Sequence, residues 1–107
     1  MIIRSAVLEG TVAEADRAGF DHQMRTTVRE AIARYPGLRA VKLRWPAEVE
    51  AGAPPIYVIF DLYFDDLPAM HAALASAVRQ EVRAGLGQVM SLFSGRVYHL
   101  VMDEAPF

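Results

Sequence analysis

Two residues stand out as able to do proton chemistry. Asp61 is a carboxylate inside the apolar and aromatic run from Ile56 to Phe64, and His99 is an imidazole between Tyr98 and Leu100. A carboxylate enclosed by apolar neighbours must be paired or protonated, because burying its bare charge is very costly. Asp61 therefore has two readings: an ion pair with a cation such as Arg4, or a general acid/base in a cavity wall. His99, whose ordinary pKa lies close to neutrality, is the natural proton carrier if a pocket opens beside it. Otherwise it is a core histidine bonded to backbone. Tyr57, Tyr63 and Trp45 offer aromatic surface with polar tips, suited to lining a ligand pocket or packing an interface between subunits. Arg4 and His22 complete the candidate ligand-binding set. His22, His71 and His99 show no HxH or HxxxH spacing, and the chain has no cysteine, so neither a metal site nor a cofactor is expected.

The elements that must position these residues follow from periodicity. Ile2 to Leu8 reads as a strand closed by Glu9-Gly10, and Thr11-Val12-Ala13-Glu14 matches a helix capping box. Gly19 is expected to interrupt the helix that follows. From Phe20 the pattern is firm, with Phe20, Met24, Val28, Ala31, Ile32 and Tyr35 forming one helical stripe that Pro36-Gly37 ends. Leu38 to Trp45 reads as a second strand, alternating Val41, Leu43 and Trp45 with Ala40, Lys42 and Arg44.

Residues 46 to 55 read as a loop and Ile56 to Phe64 as a third, central strand. On that strand Ile56, Val58, Phe60, Leu62 and Phe64 share one face, and Tyr57, Ile59, Asp61 and Tyr63 the other. Asp65 or Asp66 caps the next helix, with Pro68 in its first turn and Leu67, Met70 and Leu74 on its apolar face. A further helical piece carries Val78, Val82 and Leu86, weakened toward its end by Gly85 and Gly87. Arg96 to Met102 is the last strand.

The order β-α-β-β-α-β predicts an α+β, ferredoxin-like sandwich in a single domain spanning residues 1–107. Two helices cover one face of such a sheet. The other face, holding Tyr57, Ile59 and Tyr63, needs a cover too, and a second copy of the sheet is the simplest one. A face-to-face homodimer is therefore expected.

Composition narrows the function classes. With 53% hydrophobic residues and a net charge of −2, the chain suits an ordered globule and not a phosphate-binding nucleic-acid partner. The third strand also lacks an RNA-recognition signature. No apolar run approaches membrane-spanning length and no signal peptide is evident, so a soluble, cytoplasmic protein with no membrane partner is expected. Ser5, Ser76, Ser91 and Ser94 lie in no nucleophile-elbow context.

With this topology, the segments Tyr35-Pro36-Gly37-Leu38-Arg39, Pro54-Pro55-Ile56-Tyr57 and Leu62-Tyr63-Phe64-Asp65-Asp66-Leu67 resemble the EthD-like family of dimeric α/β-barrel proteins. The resemblance runs from about Phe20 to the end of the chain. It implies facing sheets and a small cavity in each subunit. Relatives include accessory proteins of ether degradation, and barrels acting as monooxygenases, isomerases or polyketide cyclases on small, often aromatic molecules. The chain departs from the family in the first long helix, where Val28-Arg29-Glu30 replaces a His-x-Pro and its histidine. His22 falls one residue from another position where relatives often carry histidine. Haem-degrading barrels use an asparagine, and this chain has none.

Two functions follow from the resemblance. One is an accessory or binding protein for a small apolar or aromatic compound, in a degradative or biosynthetic pathway. The other is a cofactor-independent monooxygenase, isomerase or cyclase using Asp61 or His99 as acid/base. The missing helix histidine favours the first.

Overall fold

The computed structural model describes residues 1–105. A strand β1 (Ile2–Val12) leads through a short 3-10 turn (Glu14–Asp16) into α1 (Arg17–Gln23), a π-helical turn (Met24–Val28) and α2 (Arg29–Ile32). Two strands follow, β2 (Ala40–Arg44) and β3 (Ile56–Phe64), then α3 (Leu67–Leu74), α4 (Val78–Met90) and β4 (Phe93–Asp103). The strands form one antiparallel sheet in the order β2-β3-β1-β4, the ferredoxin-like arrangement the periodicity predicts. β1 and β3 are the central strands.

Phe20, Met24, Val28, Ala31, Ile32 and Tyr35 are all buried, so the helical stripe meets the core as its spacing requires. Opposite it lie Leu8, Val58, Phe60, Leu62 and Phe64 from the central strands. The resemblance motifs gain physical reasons. The Arg39 guanidinium donates to both carboxylate oxygens of Asp65 at 2.9 and 2.7 Å, joining the start of β2 to the end of β3. Asp66 caps α3 by accepting from the Ala69 N–H at 2.9 Å, with Pro68 in the first turn. α2 ends at Ile32, before the expected Pro36-Gly37 stop. Gly37 takes φ +76°, a left-handed conformation that glycine adopts without a Cβ penalty, in the turn that the Leu38 N–H closes on the Tyr35 carbonyl at 3.3 Å.

Several expectations are corrected by pairing. β1 continues past Leu8 because Glu9, Gly10, Thr11 and Val12 stay in register with Arg96, Gly95, Ser94 and Phe93. Thr11 is thus a strand residue, and Ala13 precedes the first helical turn with no side-chain cap. β4 lengthens for the same reason. β2 is shorter than expected, leaving Leu38 and Trp45 outside it. Gly19 lies within α1, and Gly85 and Gly87 within α4, without breaking either. On α3 the buried residues are Met70 and Ala73, while Leu67 is exposed.

Gly10 and Gly95 face each other where β1 and β4 approach most closely. A Cβ on Gly10 would sit 2.1 Å from the Ser94 carbonyl oxygen, and one on Gly95 equally close to that of Glu9, at 2.1 Å. Both obstacles are backbone, which cannot swing aside. Gly10→Ala should therefore cost about 3 kcal/mol in a denaturant melt. Gly19→Ala has nothing within 4 Å and should stabilise α1 by about 0.5–1 kcal/mol, as a solvent-facing helix position allows.

Candidate functional site

A cavity of about 290 Å³ opens between the sheet and the helices. Leu8, Phe60, Leu62, Ile32, Val82 and Leu86 provide apolar wall, while Arg4, Tyr35, Arg79, Arg83 and His99 supply its polar groups. The pleat explains the sheet's contribution. Arg4, Ala6 and Leu8 alternate onto the helix side of β1, and Ala6 pairs with His99 of β4. Arg79 and Arg83 are four residues apart on α4 and so share one face. Tyr35 follows the last turn of α2, its N–H bonded to the Ile32 carbonyl at 3.0 Å.

The electrostatics here are one-sided. No aspartate or glutamate among the described residues lines the cavity. Among the described residues, no carboxylate is within salt-bridge distance of Arg4, Arg79 or Arg83. Burial lowers the pKa of Arg4 from its ordinary value, and the charge of Arg79 lowers it further. Burial pushes the Tyr35 phenol up, against the opposing pull of Arg79, Arg4 and Arg83. His99 is exposed overall yet borders the cavity, and its pKa is lowered by burial first, then by Arg4 and Arg79. A neutral imidazole beside a protonated phenol and several guanidiniums can accept a proton and steady negative charge.

Asp61 belongs to a different place. It pairs in register with Ser5, on the sheet face away from the helices, while Arg4 lies opposite Leu62 on the helix face. The expected Arg4 pairing is therefore replaced. The Ser5 hydroxyl donates to Asp61 Oδ1 at 2.5 Å, and Arg44 Nε and Nη2 both reach Oδ2 at 2.8 Å. Asp61 is only 4% exposed and does not line the cavity. Tyr63 shares its face, with the Lys42 ammonium 4.9 Å from the ring centroid.

Tyr57 departs from the alternation that places it beside Asp61. Leu8 pairs with Val58 but Glu9 with Ile56, so β3 bulges at Tyr57 and re-aims its side chain. The ring packs edge-on to Phe20 at 5.3 Å, and its hydroxyl donates to Asp21 Oδ1 at 2.7 Å. Burial and that hydrogen bond push its pKa up to about 12. Trp45 Nε1 donates to the same oxygen at 3.2 Å, and Arg25 lies 4.3 Å above the indole. This cluster borders a second, more open hollow of about 370 Å³. His22 is exposed on α1 and borders neither hollow.

Of the candidate residues chosen from sequence, Arg4 and His99 thus meet in one cavity. Trp45 and Tyr57 meet at Asp21, and Asp61 and Tyr63 share the outer face. Tyr35, Arg79 and Arg83 were missed as site residues. Tyr35 matched the core stripe, while the i,i+4 spacing of Arg79 and Arg83 was the available signal. Among the described residues no group of three His, Asp or Glu side chains suits a metal ion, and no helix is long and apolar enough to cross a membrane.

No protein-family model matches the chain, and no curated protein matches it. Solved structures do. An EthD family protein from Bacillus halodurans superposes with a TM-score of 0.73 at 20% identity, over 98% of this chain and 100% of that one. An antibiotic biosynthesis monooxygenase gives 0.64 at 15% identity, covering 99% of this chain and all (100%) of its own. SnoaB, a cofactor-independent oxygenase from Streptomyces nogalater, gives 0.63 at 17% identity over 99% of this chain and 94% of the other. The chain therefore has the ferredoxin-like fold found in EthD and antibiotic biosynthesis monooxygenase proteins.

Two measurements check the placement. In an NMR titration the His99 ring should show a midpoint below 6.5, its ordinary value, moving upward in Arg79→Gln. The unfolded chain then binds more protons between the two midpoints. Stability should fall as pH drops below 6.5 and stop falling on this account below the folded midpoint, and His99→Gln should remove that component. Ser5→Ala, which strips one bond from a buried carboxylate, should cost about 1–2 kcal/mol in stability while leaving the His99 midpoint in place.

Proposed function

We propose that residues 1–107 form a single EthD-like domain that binds a small apolar or aromatic molecule in the cavity beneath α2 and α4. In this reading it acts as a cytoplasmic accessory or binding protein of a degradative or biosynthetic pathway. The observation that carries the reading is the cavity itself. It has a few convergent polar groups set in an apolar wall, the usual composition of a small-ligand site. Its volume suits a compact molecule.

We also propose that the protein works as a homodimer through facing sheets. Leu100 and Met102 are 46% and 50% exposed on the outer side of β4, and Ile3, Ile59 and Tyr63 continue that face partly buried. Apolar side chains spread across a whole sheet face mark a contact surface. The Ser5–Asp61–Arg44 group at its centre would then be enclosed further by the partner.

One observation favours a second, catalytic reading: His99 and Tyr35 border the same cavity, with the imidazole held toward its neutral form. A cofactor-independent monooxygenase, isomerase or cyclase would use His99 as the base and Arg4 to steady the anion formed. Asp61, on the opposite sheet face, has no part in it.

A two-dimensional NMR titration with 2-naphthalenemethanol should shift resonances of Leu62, Val82 and Leu86. Leu86→Trp, which fills the cavity, should weaken binding at least about tenfold, a change of about 1.4 kcal/mol. Shifts confined to other surfaces would defeat the cavity reading. Sedimentation at micromolar concentration should give twice the chain mass, and a monomer would rule out the facing-sheet dimer.

A further inference from the structure

We infer that the cavity's ligand is an organic anion, an apolar or aromatic body ending in a carboxylate that the arginines of β1 and α4 receive. The inference rests on the reading of the cavity as a ligand site and adds the charge of its occupant.

Three observations carry it. Arg4, Arg79 and Arg83 come from two elements far apart in sequence, yet all border one cavity. None has a carboxylate partner among the described residues. Arg34, Arg39, Arg44 and Arg96 are each paired with an acid, while Arg17 bonds the Val12 carbonyl, Arg25 lies on the Trp45 ring and Arg29 is exposed. The chain as a whole carries a net charge of −2, so this local excess of positive charge is not a by-product of a basic composition. Arg4, half-buried against apolar wall, loses hydration and is repelled by Arg79, a cost that an incoming carboxylate relieves, while Arg83 stands at the exposed rim.

The ligand's form follows from the geometry. Arginine's planar fork matches a carboxylate through two parallel hydrogen bonds. The same cavity has apolar wall from Leu8, Phe60, Leu62 and Leu86, which has no use for a small inorganic ion but suits a ring system or short alkyl chain. The Tyr35 hydroxyl, kept protonated, is an additional donor.

Isothermal titration with 2-naphthoate, 2-naphthalenemethanol and acetate separates the possibilities. Naphthoate should bind at least about tenfold tighter than the alcohol, and acetate far more weakly than either. Arg79→Gln and Arg4→Gln should each lose about five- to tenfold for naphthoate while leaving the alcohol's affinity in place. Arg29→Gln, an exposed charge outside the cavity, should change neither. Because neither Arg4 nor Arg79 has a carboxylate partner among the described residues, their variants should melt no lower than the parent protein.

Equal binding of acid and alcohol would overturn the anion while sparing the cavity as a ligand site. Acetate binding as tightly as naphthoate would overturn the apolar body. Absence of binding by all of these probes would bring down both readings. A strongly lowered melting point in Arg4→Gln and Arg79→Gln would show that the arginines are structural and would overturn the proposal.

Discussion

The placement of nearly every chemically useful side chain depends on the register of β1 between its two neighbours. β1 is hydrogen bonded to β3 on one side and β4 on the other, and consecutive residues point to opposite faces. Arg4, Ala6 and Leu8 therefore meet Leu62, Phe60 and Val58 under the helices, while Ser5 meets Asp61 outside. Sliding β3 by one residue would move Asp61 into the apolar core, and sliding β4 by one residue would take His99 out of the cavity. The Gly10–Gly95 contact pins the β1–β4 pair, because only backbones without Cβ atoms approach so closely.

That register divides the polar residues into two electrical regimes. On the outer face the buried Asp61 is neutralised by a serine hydroxyl and by a guanidinium whose own side chain is 62% exposed. Such an arrangement holds the carboxylate without stranding a cation in the interior. Inside the cavity the reverse applies: guanidiniums, a phenol and an imidazole gather with no carboxylate from the described residues among them. One site is balanced within the chain, and the other is left with positive charge. Asp61 is therefore held by partners within the chain, and the cavity's cations are not.

A single bulge redistributes the aromatics. By skipping Tyr57 in the β1–β3 ladder, it turns that ring onto Phe20 and its hydroxyl onto Asp21. Trp45 joins the same carboxylate, so the end of the sheet near the helix start is closed by a hydrogen-bonded aromatic cluster. The cavity lies toward the other end, lined by β4 and α4. Tyr57 and Trp45 thus border the second hollow and not the cavity.

What the sequence determined by itself is whatever local periodicity and capping chemistry impose. The helical stripe from Phe20 to Tyr35, the two-sided apolar strand Ile56 to Phe64 and a cap at Asp65 or Asp66 were all legible, and together they give the β-α-β-β-α-β order, although the helix stops at Ile32 and not at Pro36-Gly37. The EthD-like motifs added the expectation of a small cavity. Tertiary structure alone decided which charges meet. Ser5, Arg44 and Asp61 are joined by pairing across three strands, and Arg4, Arg79 and His99 by packing α4 over β1 and β4. The physical reason is range. Hydrophobic alternation and helix caps act over a few residues, whereas strand register, a one-residue bulge and long side chains converging on a cavity depend on partners distant in the chain.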